Sequence, residues 1–280
     1  MSINKEIQLG LCCLNIELRK QKPTVFSSRR LTLKTLNIKG IDSLKKKIIE
    51  NLNDILIMMD WNELNGIKVF RLSSEIFAHY TNSKAENYTM DFAFDLLKEI
   101  GLKSKKYNQR LTFHPGHFNC LASLNLEVLN NTINDLNYHA DMCDIMELDN
   151  NSVMVIHGGG TYKNKKETLE RWIINYNNLS DKIKKRLVLE NCEKNFSIED
   201  CLYISEKINI PIVFDIHHFN CYNILHPNEI KNNAEYYIPF VLKTWEKRNI
   251  KPKFHLSEQG KGRCGHHSDY IENIPEYLLN

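Results

Sequence analysis

Seven short apolar runs punctuate the chain: IQLGLC, IKVFRLS, RLTFH, SVMVIH, RLVLEN, PIVFDI and PKFHLS. Each is bounded by polar or turn residues, the signature of a short buried strand. Between them lie stretches such as DSLKKKIIENLNDILIMMDWN and NLEVLNNTINDLNYHADMCDIME. Their apolar residues recur at three and four positions, the spacing of one helix face. Strand alternating with helix predicts parallel βαβ units. No linker, low-complexity tract or shift of composition interrupts the pattern, so residues 1–280 are expected to form a single α/β domain. That length suits one TIM-type (β/α)8 barrel, which takes about 250 residues.

Polar residues gather where the apolar runs stop. Arg71 with Ser73 and Ser74, His114, His157, Glu190, Asp215 with His217 and His218, and Lys253 with His255 all fall at predicted carboxyl ends. In a (β/α)8 barrel those ends share one face, where the active site lies. Imidazole nitrogens and carboxylate oxygens suit zinc, manganese or iron, and a carboxylate can bridge two ions. One histidine at a strand end is more often a hydrogen-bonded rim residue than a ligand. Six such residues ending strands (His114, His157, Glu190, Asp215, His218 and His255) exceed what one structural zinc needs, and point to a centre of two or three metals. Within FDIHH, spacing leaves open whether His217 or His218 joins Asp215. Residues two apart share a face only while the strand stays extended.

Composition narrows the picture without sharpening it. A chain that is 42% hydrophobic and 25% charged, with no apolar run near the roughly 20 residues a membrane span needs, reads as globular and intracellular, in cytoplasm or nucleus. MSINKEIQLG has no signal-peptide pattern. Eight cysteines without a C-x-x-C pair read as reduced, mostly buried thiols. A formal charge of +3 is too mild to demonstrate a nucleic-acid partner. Local clusters remain available: Lys163, Lys165 and Lys166 after HGGG, Arg29 and Arg30, and Lys261 with Arg263. HGGGTYKNKK lacks the spacing of a nucleotide P-loop, and its glycines are expected to allow close backbone packing. KIKKR at 182–186 precedes a strand and reads as solvated charge.

Ordered pieces from residue 9 to 271 resemble the UV damage endonucleases, metal-dependent barrel enzymes related to the endonuclease IV type of abasic-site nuclease. These are LGLCCLN, RLTLKTL, RLSSEIFAH, LTFHPGHF, NYHA, VIHGGG, LVLEN, VFDIHH, KFHLS and HHSDYI. The resemblance implies a DNA repair nuclease that incises damaged duplex immediately 5′ to pyrimidine dimers, 6-4 photoproducts and abasic sites, leaving a 3′-hydroxyl and a 5′-phosphate. It sorts the ligands: His114, His157 and Glu190 on one ion, Glu190 bridging to a second completed by Asp215 and His255, and His218 with His267 on a third. Manganese is the expected metal, with zinc, cobalt or magnesium as alternatives. Glu190, Asp215 and Lys253 are the implied catalytic groups, and His79 lies close to the cluster as a further ligand. Asn15, His117, Phe118, Lys163 and Arg263 are the implied contacts to DNA and lesion. His117 departs from the amide usual at its position, whereas Phe118 keeps the wedge character. A monomer is expected.

Two other readings fit the same residues. One is a catalytically weakened protein that binds DNA damage, and the other a sugar isomerase or abasic-site nuclease on the same barrel plan. A closed barrel also needs eight strands, and only seven are counted before HHSDYIENIPEYLLN, whose tail reads as a final helix. The resemblance implies an eighth strand carrying a glutamate for the second metal. No residue here matches it, and truncation is the expected reason.

Overall fold

The computed structural model describes residues 7–279. It divides into two compact units, residues 1–115 with 134–154, and residues 116–133 with 155–280. The chain passes from one to the other after residue 115, after residue 133 and after residue 154.

The first unit begins with strand β1 (Gly10–Cys12), followed by helices α1 (Ile16–Arg19), α2 (Leu33–Lys39) and α3 (Ile41–Leu64). Strand β2 (Val69–Leu72), helix α4 (Phe94–Tyr107), strand β3 (Arg110–Phe113) and most of helix α5 (Leu126–Ile145) complete it. Along α3 the buried residues Leu44, Ile48, Leu52, Ile55, Leu56 and Met59 recur at helical spacing, so one face enters the core. Helix α4 runs so close to the backbone after α5 that a Cβ on Gly101 would stand 1.9 Å from the carbonyl oxygen of Met146. Only glycine fits there. The strands are parallel, with Gly10 opposite Val69 and Phe70 opposite Leu111. At its end β3 pairs through Phe113 with Met154.

In the second unit strand β4 (Met154–His157) is followed by α6 (Lys165–Asn177), α7 (Asp181–Lys184), β5 (Leu187–Glu190), α8 (Ile198–Ile208) and β6 (Ile212–Asp215). Helices α9 (Ile216–Leu225) and α10 (Ala234–Glu246) then lead to β7 (Phe254–His255). Every residue of β5 and β6 is buried, as strands in a parallel sheet covered on both faces must be. Ser197 and Asp200 form a reciprocal capping box that starts α8. Strands follow one another in sequence order. The result is the α/β topology of a TIM-type (β/α)8 fold with seven of its eight strands among the described residues.

All seven expected strands form, but two local expectations fail. Among the described residues the tail forms no α-helix: Pro275 cannot donate to one, and a 3-10 turn at Glu276–Leu278 follows it. Within KIKKR, Arg186 is buried at 2% exposure where its neighbours enter β5. All eight cysteines are free thiols, and four of them are buried. No helix among the described residues is long and apolar enough to cross a membrane.

Candidate metal centre

Strand register in the second unit brings the donors together. Asp215, the last residue of β6, lies opposite His255 of β7, and Glu190, the last of β5, lies opposite Val213. The Glu190 side chain is fully buried. Its Oε1 is 2.5 Å from His255 Nδ1 and 3.8 Å from His218 Nδ1, while Oε2 is 3.6 Å from His157 Nε2. One ligand atom each from His157, Glu190 and His218 lies within 4.8 Å of the others. Three nitrogen and oxygen donors at that separation fit a single divalent ion of the zinc or manganese kind.

Position Asp215 decides which histidine joins the group. The strand does not run on: Asp215 is the N-cap of α9, and its Oδ1 accepts the backbone N–H of His218 at 2.8 Å. A helix starting there puts the third residue beyond the cap back over the capping carboxylate. His218 Nδ1 therefore lies 3.7 Å from Asp215 Oδ2. His217 turns instead toward Cys221, with Nε2 3.7 Å from its Sγ. Asn191, which the strand-end pattern passes over, locks this geometry. Its side chain accepts the Asp215 N–H at 2.8 Å and donates to the Asp215 carbonyl at 3.0 Å. Its own carbonyl accepts from His218 Nδ1 at 3.1 Å, which makes Nδ1 the protonated nitrogen and leaves the lone pair on Nε2. The available signal was its place directly after Glu190 in LVLEN.

Burial raises Asp215, Glu190 adds to the rise and the charge of His218 pulls it back, leaving the carboxyl at about 7. For His218 burial opposes protonation, but Asp215, Glu190 and the Asn191 carbonyl outweigh it and hold the imidazole above its ordinary value. Burial and the charge of His218 lower His217. Two buried carboxylates amid imidazoles make a site that favours added positive charge.

Other expected residues of this unit surround the cluster. His267 pairs with Gln259 in a β-bridge and hydrogen-bonds through Nδ1 to Ser257 Oγ at 2.8 Å. Its ring stands 5.0 Å from that of His217 and 5.7 Å from that of His218. The exposed His117 stacks on His157 with ring centroids 4.8 Å apart and planes 13° from parallel. Phe118 is 59% exposed, and a Cβ on Gly116 would stand 2.6 Å from its ring. Gly158 packs against Phe196, whose ring a Cβ would meet at 2.2 Å. Lys253 directly precedes β7 and is half-buried. Lys163, Lys166, Lys261 and Arg263 are exposed. Lys165 is not available in the same way: its Nζ pairs with Asp200 Oδ2 at 2.8 Å and donates to Tyr222 Oη at 2.9 Å.

In the first unit, His114 follows β3 directly, and its Nδ1 lies 3.3 Å from the Pro115 carbonyl oxygen. His79 adopts a left-handed backbone, with Nε2 2.7 Å from the Leu31 carbonyl oxygen and Nδ1 3.3 Å from Asn82 Nδ2. Asn15 caps α1, its Oδ1 accepting from the Leu18 N–H at 3.0 Å. Arg29 pairs with Asp54 at 2.7 Å and Glu50 at 3.2 Å, and Arg30 with Glu75 at 2.7 Å. Arg29 and Arg30 thus have acidic partners within their own unit.

Comparison with known proteins adds an independent line. The family model described as UV-endonuclease UvdE matches residues 7–279. A protein of Acanthamoeba polyphaga mimivirus is 40% identical over 279 residues, covering 98% of this chain and 82% of its own. The UV-damage endonuclease of Schizosaccharomyces pombe is 38% identical over 96% of this chain, but only 46% of that protein is covered. The chain thus spans most of the viral relative and about half of the yeast one. The crystal structure of SacUVDE superposes with a TM-score of 0.83 at 30% identity, over 95% of this chain and 86% of that one. Endonuclease IV from Thermus thermophilus, at 11% identity and a TM-score of 0.52 over 78% of each chain, shares the fold alone.

Proposed function

This chain belongs to the UV-endonuclease UvdE family, and from that membership we propose that it is a DNA endonuclease that incises duplex immediately 5′ to UV photoproducts, leaving a 3′-hydroxyl and a 5′-phosphate. Abasic sites fall within the proposed range. The observation that carries the reading is the buried Glu190 carboxylate, with His157, His218 and His255 all within 4 Å of its oxygens. The whole chain, residues 1–280, is taken as one catalytic domain acting as a monomer.

The proposed cofactor is two or three divalent ions, Mn2+ foremost, held by His157, Glu190, Asp215, His218, His255 and His267. His114 joins them on the strength of its position at the end of β3, and Lys253 on its position before β7. Bound there, such ions activate water and stabilise the leaving oxygen of a phosphodiester, which is otherwise a poor electrophile. The chain's own part is to hold the donors still. Asn191 fixes the Asp215 backbone and the His218 tautomer, and the N-cap sets His218 against Asp215. His79 and Asn15 take supporting places, since His79 Nε2 and Asn15 Oδ1 already serve the backbone.

Recognition is proposed to rest on distortion. A dimerised base pair stacks weakly and costs less to open, so an exposed aromatic can enter where it could not enter intact duplex. Phe118 is the proposed wedge, His117 its neighbour at the lesion, and Lys163 and Arg263 the phosphate contacts. Incision of irradiated against untreated plasmid, with Mn2+ and with chelator, tests the whole reading. Nicking confined to irradiated DNA and abolished by chelator supports it. Binding of irradiated DNA without nicking in Mn2+ would instead make the chain a damage-binding protein.

A further inference from the structure

Helix α9 carries a thiol one turn beyond His217. Cys221 Sγ lies 3.7 Å from His217 Nε2 and 3.9 Å from Gln259 Oε1. Cys264, 43 residues later in the chain, reaches back to it: its Sγ is 4.0 Å from the Cys221 carbonyl oxygen. Cys264 sits in a tight turn that also carries His267. Gln259 organises that turn, accepting the Gly265 N–H at 3.0 Å and donating to the carbonyls of Gly260 at 2.8 Å and Arg263 at 3.0 Å. Two cysteines remote in sequence are thereby held side by side at the edge of the candidate metal centre.

We propose that Cys221 and Cys264 form a redox-modification site, in which hydrogen peroxide closes a disulfide that ties the His267 turn to α9. Cys264 is half-buried and Cys221 buried, so the peroxide meets Cys264 first. The Cys264 sulfur attacks one peroxide oxygen and the O–O bond breaks. A sulfenic acid forms, and the departing hydroxide leaves as water with the thiol proton. The Cys221 sulfur then attacks the sulfenic sulfur and the S–O bond breaks. The hydroxide released takes the Cys221 proton and leaves as a second water. Two thiols have then lost two electrons to one peroxide.

The environment sorts the two roles. Burial pushes the Cys221 thiol up to about 12, so it stays protonated and is a poor nucleophile toward peroxide. A disulfide bond is about 2.05 Å long. Closure therefore draws the turn toward α9, and His267, three residues beyond Cys264, moves with it. Disulfide formation stands independently of the nuclease reading, whereas its effect on incision rests on that reading.

The test treats the full-length protein with one to a few equivalents of hydrogen peroxide, blocks free thiols and maps tryptic peptides. The expected product joins the peptide 208–231, containing Cys221, to the peptide 264–280, disappears with dithiothreitol, and is absent from C264S and from C221S. Oxidation that leaves both thiols open to alkylation, or that takes Cys264 to sulfinic acid without a cross-link, overturns the proposal. In parallel, incision of irradiated plasmid is expected to fall several-fold on oxidation, recover with dithiothreitol, and hold steady in peroxide-treated C264S. A disulfide that forms while incision stays unchanged overturns the link to His267 and leaves the nuclease reading intact.

Discussion

In the first unit Asn51, wholly buried, accepts the Arg29 N–H at 2.8 Å and donates to the carbonyls of Arg29 at 3.0 Å and Ile76 at 3.1 Å. His79 faces the Leu31 carbonyl, and Asn15 closes the start of α1. In the second unit Glu190, Asp215, His157, His218 and His255 face one another instead. Asp215 and His218 also bond to the backbone, yet their set in addition crowds like and unlike charges into a buried space. Polar side chains that satisfy the backbone stabilise a loop. Side chains that converge on one another beyond what bonding the backbone requires mark a place where something else binds.

The sharpest way to break this contrast is Glu190→Gln. Incision should fall by orders of magnitude while the fold persists, because the amide keeps the shape and loses the charge shared by three imidazoles. Plasmid nicking at saturating Mn2+ reads the rate, and circular dichroism reads the fold. Wild-type nicking by the variant would remove Glu190 from the centre.

Next in size is a pH effect. The Asp215 carboxyl is raised from an ordinary 3.8 to about 7, so the folded protein favours its protonated form. That contribution is fully present below about pH 4 and is lost as pH rises through 7, a change on the order of a few kcal/mol. Relative to Asp215→Asn, metal-free wild-type protein should therefore lose melting temperature between pH 5 and 8. Added Mn2+ should cancel the loss. A difference between the two proteins that does not vary with pH would show that Asp215 ionises normally.

On the other side of the comparison, Asn51→Ala removes three hydrogen bonds and should cost about 3 kcal/mol. The melting temperature would fall by several degrees with bound metal per folded protein unchanged. Loss of metal at full folding would mean that the first unit's buried amides also serve the centre. Phe118→Ala should weaken binding to lesion-containing duplex by about 1 to 3 kcal/mol, the value of one stacking contact. Binding to undamaged duplex should barely change. Equal losses on the two DNAs in a titration would make Phe118 a packing residue of its loop.

What could be read in advance follows the same division. Buried strands declare themselves as apolar runs such as PIVFDI, and their carboxyl ends named Glu190, Asp215 and His255 because a parallel sheet lines up those ends. The choice of His218 over His217 was illegible from residue spacing, since it depends on the residue at which β6 stops and α9 begins. Helix α9 hides itself: IHHFNCYNIL is buried on most sides and lacks an amphipathic stripe. The partners of Lys165 and Arg29 were equally hidden, because Asp200 and Asp54 lie 35 and 25 residues away along the chain. The tail misled through its apolar residues, whose helical spacing Pro275 overrides.

Metal content of purified wild-type protein and of Glu190→Gln, after saturation with Mn2+ and removal of free ion, tests the central claim most directly. Two or more equivalents on the wild type, falling by at least one in the variant, is the predicted result. Less than one equivalent on fully folded wild-type protein, or the same content in both, would contradict a metal centre at the strand ends.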